Sequence, residues 1–336
     1  NITDSTFTGN SADIAGAVGG QIVSIHSSTF GDNTAGAGGG GAVTAASLDL
    51  STSYFYNNAA VHGGAIATLA YASIEFSSFR GNDAAFFGGA VYIKGAAATV
   101  SSVDGSSFIA NGDDIAPIGG GGLHIADYGP VEITNSTFIG NEATSGGGVY
   151  VADVNGFDDT ISYTTISGNT VPNAGGGIYA AGTLALLNSI VSSNYAGIAA
   201  YADARFVPPG PHIVRNNLFT SAATTNNAGA NAAYGDPLLA PVGNNGGPLI
   251  GDDSLHYLPT AIPAWNSPAV GLADPDLTSI TETQIGTART GNVAGSMNAG
   301  ASPTPPTPPA TFGLPPKRSR ASPAIWARSS KPSSPP

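Results

Sequence analysis

The stretch STFIGNEATSGGGVYV, Ser136 to Val151, decides the fold, because the chain repeats it with small changes along most of its length. STFTGN begins at Ser5, STFGDN at Ser28, SYFYNN at Ser53 and SSFRGN at Ser77. With the aromatic of each copy as reference, Phe7, Phe30, Phe55, Phe79, Phe108 and Phe138 form one column, and Ile166 takes the same role in the next copy. Successive members lie 23, 25, 24, 29, 30 and 28 residues apart. Three positions after each comes an asparagine: Asn10, Asn33, Asn58, Asn82, Asn111, Asn141 and Asn169. A looser copy, NSIVSSN, follows at 188–194. Between copies sits a glycine cluster and a short apolar strand, as in GGAIA (63–67), GGAVYI (88–93) and GGGIYA (175–180).

Units of this length built from short strands and turns cannot bury an apolar face alone, so they stack into a solenoid through parallel pairing. The chain therefore reads as an all-β parallel β-helix. Equivalent residues then lie above one another. Two positions before the reference stand Ser5, Ser28, Ser53, Ser77, Ser106, Ser136 and Thr164, and five before stand Ile2, Ile25, Leu50, Ile74, Val103, Ile133 and Ile161. Alternation along a strand makes the aromatic and aliphatic columns core stacks and the hydroxyl column an internal ladder. The asparagine column reads as a second ladder, at a corner where Asn tolerates left-handed backbone. Glycine at the next corner permits positive φ or close approach of coils.

Composition narrows the function. The chain has 336 residues with 47 glycines, 10 Lys plus Arg and 22 Asp plus Glu. Five of the bases (Lys317, Arg318, Arg320, Arg328, Lys331) fall after residue 300 with no acid, which leaves the body at 5 − 22 = −17. Such a body repels nucleic acid, whose binding depends on basic side chains displacing counterions. There is no cysteine for disulfides or thiolate metal sites. No apolar run approaches the ~20 residues of a transmembrane helix. The chain opens on NITDSTF, in mid-repeat, as expected of a processed or excised piece with coils and a signal peptide missing upstream.

The paired motifs F-x-x-N and G-G-A-[ILV], as in FYNNAAVHGGAIA (55–67) and FRGNDAAFFGGAVYI (79–93), resemble the repeats of chlamydial polymorphic outer membrane proteins and related bacterial surface proteins. The resemblance covers roughly residues 1–200 and implies a right-handed, single-stranded parallel β-helix, the pectin lyase-like fold, displayed outside the cell. A second stretch is similar to the C-terminal region called choice-of-anchor Q. Asp236 and Pro237, Asn245 to Pro248, His256, Ser267 to Ala269 and Arg289 carry it, while Val270, Gly271 and Asn298 depart from its pattern. It implies that residues 201–300 are closing coils and a cap. The remainder, 301–336, holds 11 of the 24 prolines and reads as an extended or disordered basic tail.

Candidate chemistry is sparse. Four before the reference stand Thr3, His26, Ser51, Glu75, Asp104, Thr134 and Ser162, and six before stand Ser24, Asp49, Ser73, Ser102, Glu132 and Thr160. Glu75 and Asp104 thus become outward neighbours on successive coils, about 4.8 Å apart by backbone stacking. Two carboxylates so placed can act as acid and nucleophile on a sugar, can hold Ca²⁺, or can form a plain solvated acidic face, which is the commonest outcome. Arg80 and Lys94 are the nearest bases in sequence. NGDDIAP at Asn111 echoes the acidic pair of polygalacturonases without that family's other motifs. His124 reads as an outward strand histidine. DVNGFDD places Asp153, Asn155, Asp158 and Asp159 in a loop with calcium-like oxygen spacing, but without a closing Glu it also reads as an acidic solvent loop.

The leading expectation is a secreted or surface-displayed bacterial β-helix, an adhesin or structural stalk without catalysis or cofactor. A polysaccharide-active enzyme using Glu75 and Asp104 is the second reading, and self-association through unpaired coil ends the third. The expected partners are polysaccharide or a host or neighbouring cell surface.

Overall fold

Each repeat folds as one coil, and equivalent strands of successive coils pair in parallel. Phe7 is in register with Phe30, Phe30 with Phe55, Phe55 with Phe79, Phe79 with Phe108, Phe108 with Phe138, and Phe138 with Ile166. The computed structural model describes residues 1–272 apart from 97–98, 113–117, 127, 153–157, 197–201, 208–211, 246, 253–255, 265 and 271. The body is right-handed and all-β.

The coils have three sides. A 14-stranded sheet takes the glycine-led strands, a 10-stranded sheet takes the reference strands, and a third sheet begins just after the asparagine corner, from Ser11–Ala12 to Asp83–Phe87. The third strand is only two to five residues long and carries little periodicity in the sequence. In the first coils the first sheet uses long strands, Val18–His26, Val43–Ser51 and Ile66–Glu75. Beyond them it forks, because Ile66–Glu75 pairs with both Val91–Ile93 and Ser101–Asp104. The lengthening of the repeat from 24 to 29 residues is the loop that splits the strand.

Three internal ladders run through this stack. Rings of Phe7 to Phe138 stack at centroid distances of 4.4 to 5.1 Å, and Phe30 to Phe138 are fully buried. Each serine hydroxyl accepts from the backbone N–H of the preceding coil's serine, as Ser53 Oγ does from Ser28 at 3.1 Å, and donates to its own strand, as to Ser51 O at 2.8 Å. Each asparagine Oδ1 accepts both the backbone N–H and Nδ2–H of the asparagine one coil back, as Asn111 does from Asn82, both at 3.0 Å. Its own Nδ2 also donates to the reference carbonyl of the coil before, as Asn111 does to Phe79 O at 3.1 Å. A buried amide could satisfy its donors and acceptor here only because neighbours repeat at strand spacing.

The corners differ from the expected arrangement. The left-handed residue is the one before each asparagine: Gly9, Asp32, Asn57, Gly81, Ala110, Gly140 and Gly168, with φ between 51 and 68°. The asparagine is selected for its ladder, and the strain falls on its predecessor. A second left-handed position three before the reference is filled by Asp4, Ser27, Thr52, Phe76, Gly105, Asn135 and Tyr163. At the glycine corner the two expected roles fall on adjacent residues. Gly88 has φ +64°, whereas a Cβ on Gly89 would lie 2.2 Å from Gly121 O.

Coils continue through Ala204–Phe206, Ile213–Arg215, Leu218–Phe219 and Ala233–Tyr234. Beyond these, described residues lie against the outward side of the second sheet. Leu239 and Ala269 pack with Ile190 and Leu218 on the outward side of the second sheet, and between them the chain runs out to earlier coils and returns. There Gly251 N–H donates to Thr52 O at 2.8 Å, Asp252 contacts Thr6 and Thr29, His256 meets the Tyr54 ring edge-on at 4.8 Å, and Ser107 Oγ donates to Pro259 O. This strap explains why the outward Ser78, Ser107, Thr137 and Thr165 are buried.

Candidate functional site

The outward face of the first sheet carries the candidate residues in two strips, one on each arm of the fork. On the arm leading to the second sheet, Glu75 is in register with Ser51 on one side and Asp104 on the other, and Asp104 with Thr134. Asp49 and Glu132 lie in the adjoining outward column. The two carboxylates are thus brought onto one face. They are not equivalent: Asp104 Oδ1 accepts hydrogen bonds from Thr134 Oγ1 and, at 3.2 Å, from Asn135 Nδ2, while Glu75 is exposed. Ser24, His26, Asp49, Ser51, Ser73 and Glu75 line a shallow groove of about 300 Å³. His26 Nδ1 hydrogen-bonds Ser51 Oγ at 2.8 Å.

The bases nearest in sequence are placed differently. Arg80 lies on the second sheet, in register with Tyr56 and Ile109, and so faces away from the first-sheet strip. Lys94 stands over the Tyr128 ring at 5.2 Å. A turn of the coil between Glu75 and Arg80 separates residues that are close in sequence.

The calcium-like loop is also divided. Asp153 and Asn155 lie outside the described residues, as do Asp113 and Asp114 of NGDDIAP. Asp158 is exposed. Asp159 points inward: it is 1% exposed, in register with Leu184, and its Oδ1 accepts Val131 N–H at 2.8 Å. It serves the coil interior and is removed from any outward ligand set. Among the described residues, no three His, Cys, Asp or Glu side chains gather as a metal site.

On the other arm of the fork, one outward residue per coil gives the register Tyr92, His124, Tyr150, Tyr179, Arg205. His124 is outward, as expected for its strand position, yet only 4% exposed, because Tyr92, Tyr150 and Phe87 enclose it at centroid distances of 5.5, 4.9 and 4.6 Å. Burial lowers its pKa to about 3, against an opposing contact with Gly119 O, so it stays neutral. This aromatic row was missed from the sequence. Its signal was the residue between the two apolar ones in GGAVYI, GGGLHI, GGGVYV and GGGIYA.

Asp203 was also missed. It is fully buried and closes the asparagine ladder, accepting Asn194 N–H at 3.2 Å and Nδ2–H at 3.3 Å on Oδ1, and Thr220 N–H at 2.7 Å on Oδ2. Desolvation raises its pKa, opposed by hydrogen bonds from Thr224, Thr220 and Asn194.

The family model described as a right handed beta helix region matches residues 72–236, just under half of the chain. No curated protein and no solved structure matches it. Among the described residues no helix is long and apolar enough to cross a membrane. Register, ladders and family match agree on one conclusion: the chain is a right-handed parallel β-helix.

Proposed function

We propose that this β-helix is an extracellular, surface-displayed binding or stalk protein that presents its outward columns without cleaving what it holds. The observation that carries the reading is the continuity of the ladders. Asparagine amides link coil to coil from Asn10 to Asn194 without a gap, so the repeats form one stiff support for side chains repeated at strand spacing. The resemblance of the repeats to bacterial surface proteins, and of residues 216–301 to an anchor-type region, supports display outside the cell. Engagement of Asp104 by Thr134 and Asn135 favours a structural carboxylate over a nucleophile. Attachment to cells and binding to glycan and matrix arrays test this; a chain that binds nothing, and whose deletion leaves attachment unchanged, sinks it.

The groove beside Glu75 favours one second reading, a polysaccharide-active enzyme with Glu75 and Asp104 as its acids. New reducing ends or unsaturated products from neutral or uronic-acid polymers, abolished in Glu75→Gln, would establish it.

A further inference from the structure

We propose that the outward row Tyr92, His124, Tyr150 and Tyr179, ending at Arg205, is a binding strip for a linear polysaccharide lying along the helix axis. This names a ligand class for the surface reading above and rests on it.

Tyr150 lies 4.9 Å from His124 and 5.0 Å from Tyr179, each pair within 6° of parallel. Flat rings in contact are about 3.5 Å apart, plane to plane. Centroids near 5 Å therefore require each ring to be slipped sideways over the next, as slates are, leaving part of its face and its outer edge uncovered. The three tyrosines are only half-buried, and no hydrogen bond among the described residues engages their hydroxyls. Tyr92 and His124 continue the row at 5.5 Å, and Phe87, His62 and the exposed Phe86 widen it at that end.

Such a surface alternates apolar ring with polar tip at the pitch of the coils. A sugar has the matching character, with C–H faces beside hydroxyls, and a linear polymer repeats it. Each added contact on a tethered chain then becomes intramolecular and strengthens binding without a new kind of site. Other partners fit less well. The row contains no carboxylate; it ends at Arg205, and Lys94 follows Tyr92 by two residues. That is too little basic charge for nucleic acid or an anionic membrane surface.

The test uses the whole chain and two probes, soluble xylan as a neutral polymer and polygalacturonate as an acidic one, in affinity electrophoresis. The variants are Tyr150→Ala with Tyr179→Ala, and Tyr150→Phe with Tyr179→Phe; circular dichroism melts confirm that both fold. The wild type is expected to be retarded by at least one probe. The double alanine variant should weaken that retardation at least about tenfold, and the double phenylalanine variant should fall between. Retardation by the acidic polymer that weakens in Arg205→Gln assigns the strip to uronic-acid chains; retardation by xylan assigns it to neutral ones. The proposal is overturned if neither probe is retarded, or if the alanine variant is retarded as strongly as wild type. Cell attachment separates the two readings: attachment that survives the alanine pair removes the strip and keeps surface display, whereas sugar binding without attachment does the reverse.

Discussion

Replacing Asn111 by alanine should cost about 2 to 6 kcal/mol. Asn111 is fully buried. Its side chain accepts from Asn82 N and Nδ2, both at 3.0 Å, and donates to Phe79 O at 3.1 Å and Asn141 Oδ1 at 2.8 Å. Alanine removes all four bonds. Asn141 Oδ1 keeps the backbone N–H of residue 111, and Asn82 Nδ2 keeps Phe55 O. Two buried donors on Asn82 are left without acceptors, each worth about 1 to 3 kcal/mol, which gives the range. Glu132→Ala is the control: Glu132 is exposed on a strand of the next coil and takes no part in the ladder, so it should cost below about 1 kcal/mol. Because coils stabilise their neighbours, damage should be local. Hydrogen exchange should quicken at residues 77–83 and 107–112 and stay unchanged near Asn194, with urea unfolding supplying the magnitude. Equal costs at Glu132 and Asn111, or protection lost evenly along the chain, would refute the ladder as the source of stability.

Phe79→Ala removes a fully buried ring stacked at 5.1 Å on Phe55 and 4.8 Å on Phe108, and should cost ~3 to 5 kcal/mol, with exchange rising between residues 50 and 110. His124 has a folded pKa near 3 against 6.5 unfolded, so the stability linked to its neutral form is complete above about pH 6.5 and declines as pH falls. The decline should approach ~1.4 kcal/mol per pH unit; His124→Phe, which keeps the stack, should flatten the curve between pH 6 and 4, and an unchanged slope would count against burial as the cause. Asp203→Asn should destabilise by ~1 to 3 kcal/mol in urea, because an amide cannot accept Thr220 N–H and Asn194 N–H on both of its heavy atoms. A neutral effect would mean that the ladder needs no carboxylate at its end.

What the sequence revealed depended on periodicity. Columns such as Phe7 to Phe138 and Asn10 to Asn169 were legible because strand pairing repeats one environment in every coil, and repetition averages out local accidents. The adjacency of Glu75 and Asp104 followed from the same counting. Features fixed by a single event were not legible. Asp159 shares its residue type with its exposed neighbour Asp158, and only the entry of the strand turns one inward and leaves the other out. The strap could not be counted either, since its contacts join residues 223 and 246 positions apart and recur nowhere. His124 was placed on the correct side of its strand, but its burial comes from rings on other coils.

That strap changes what kind of folding problem the chain poses. A plain solenoid is one-dimensional, with local contacts that can nucleate in any coil and spread in either direction. Here Gly251, Asp252 and His256 can dock only after the coils of Thr29, Thr52 and Tyr54 exist, so one ordering step waits on coils distant in sequence. These few interactions have far greater sequence separation than the coil-to-coil contacts and carry a correspondingly larger closure entropy. Opening of the coil of Thr29 must then release a segment about two hundred residues downstream, which couples distant parts of the array as the coils alone would not.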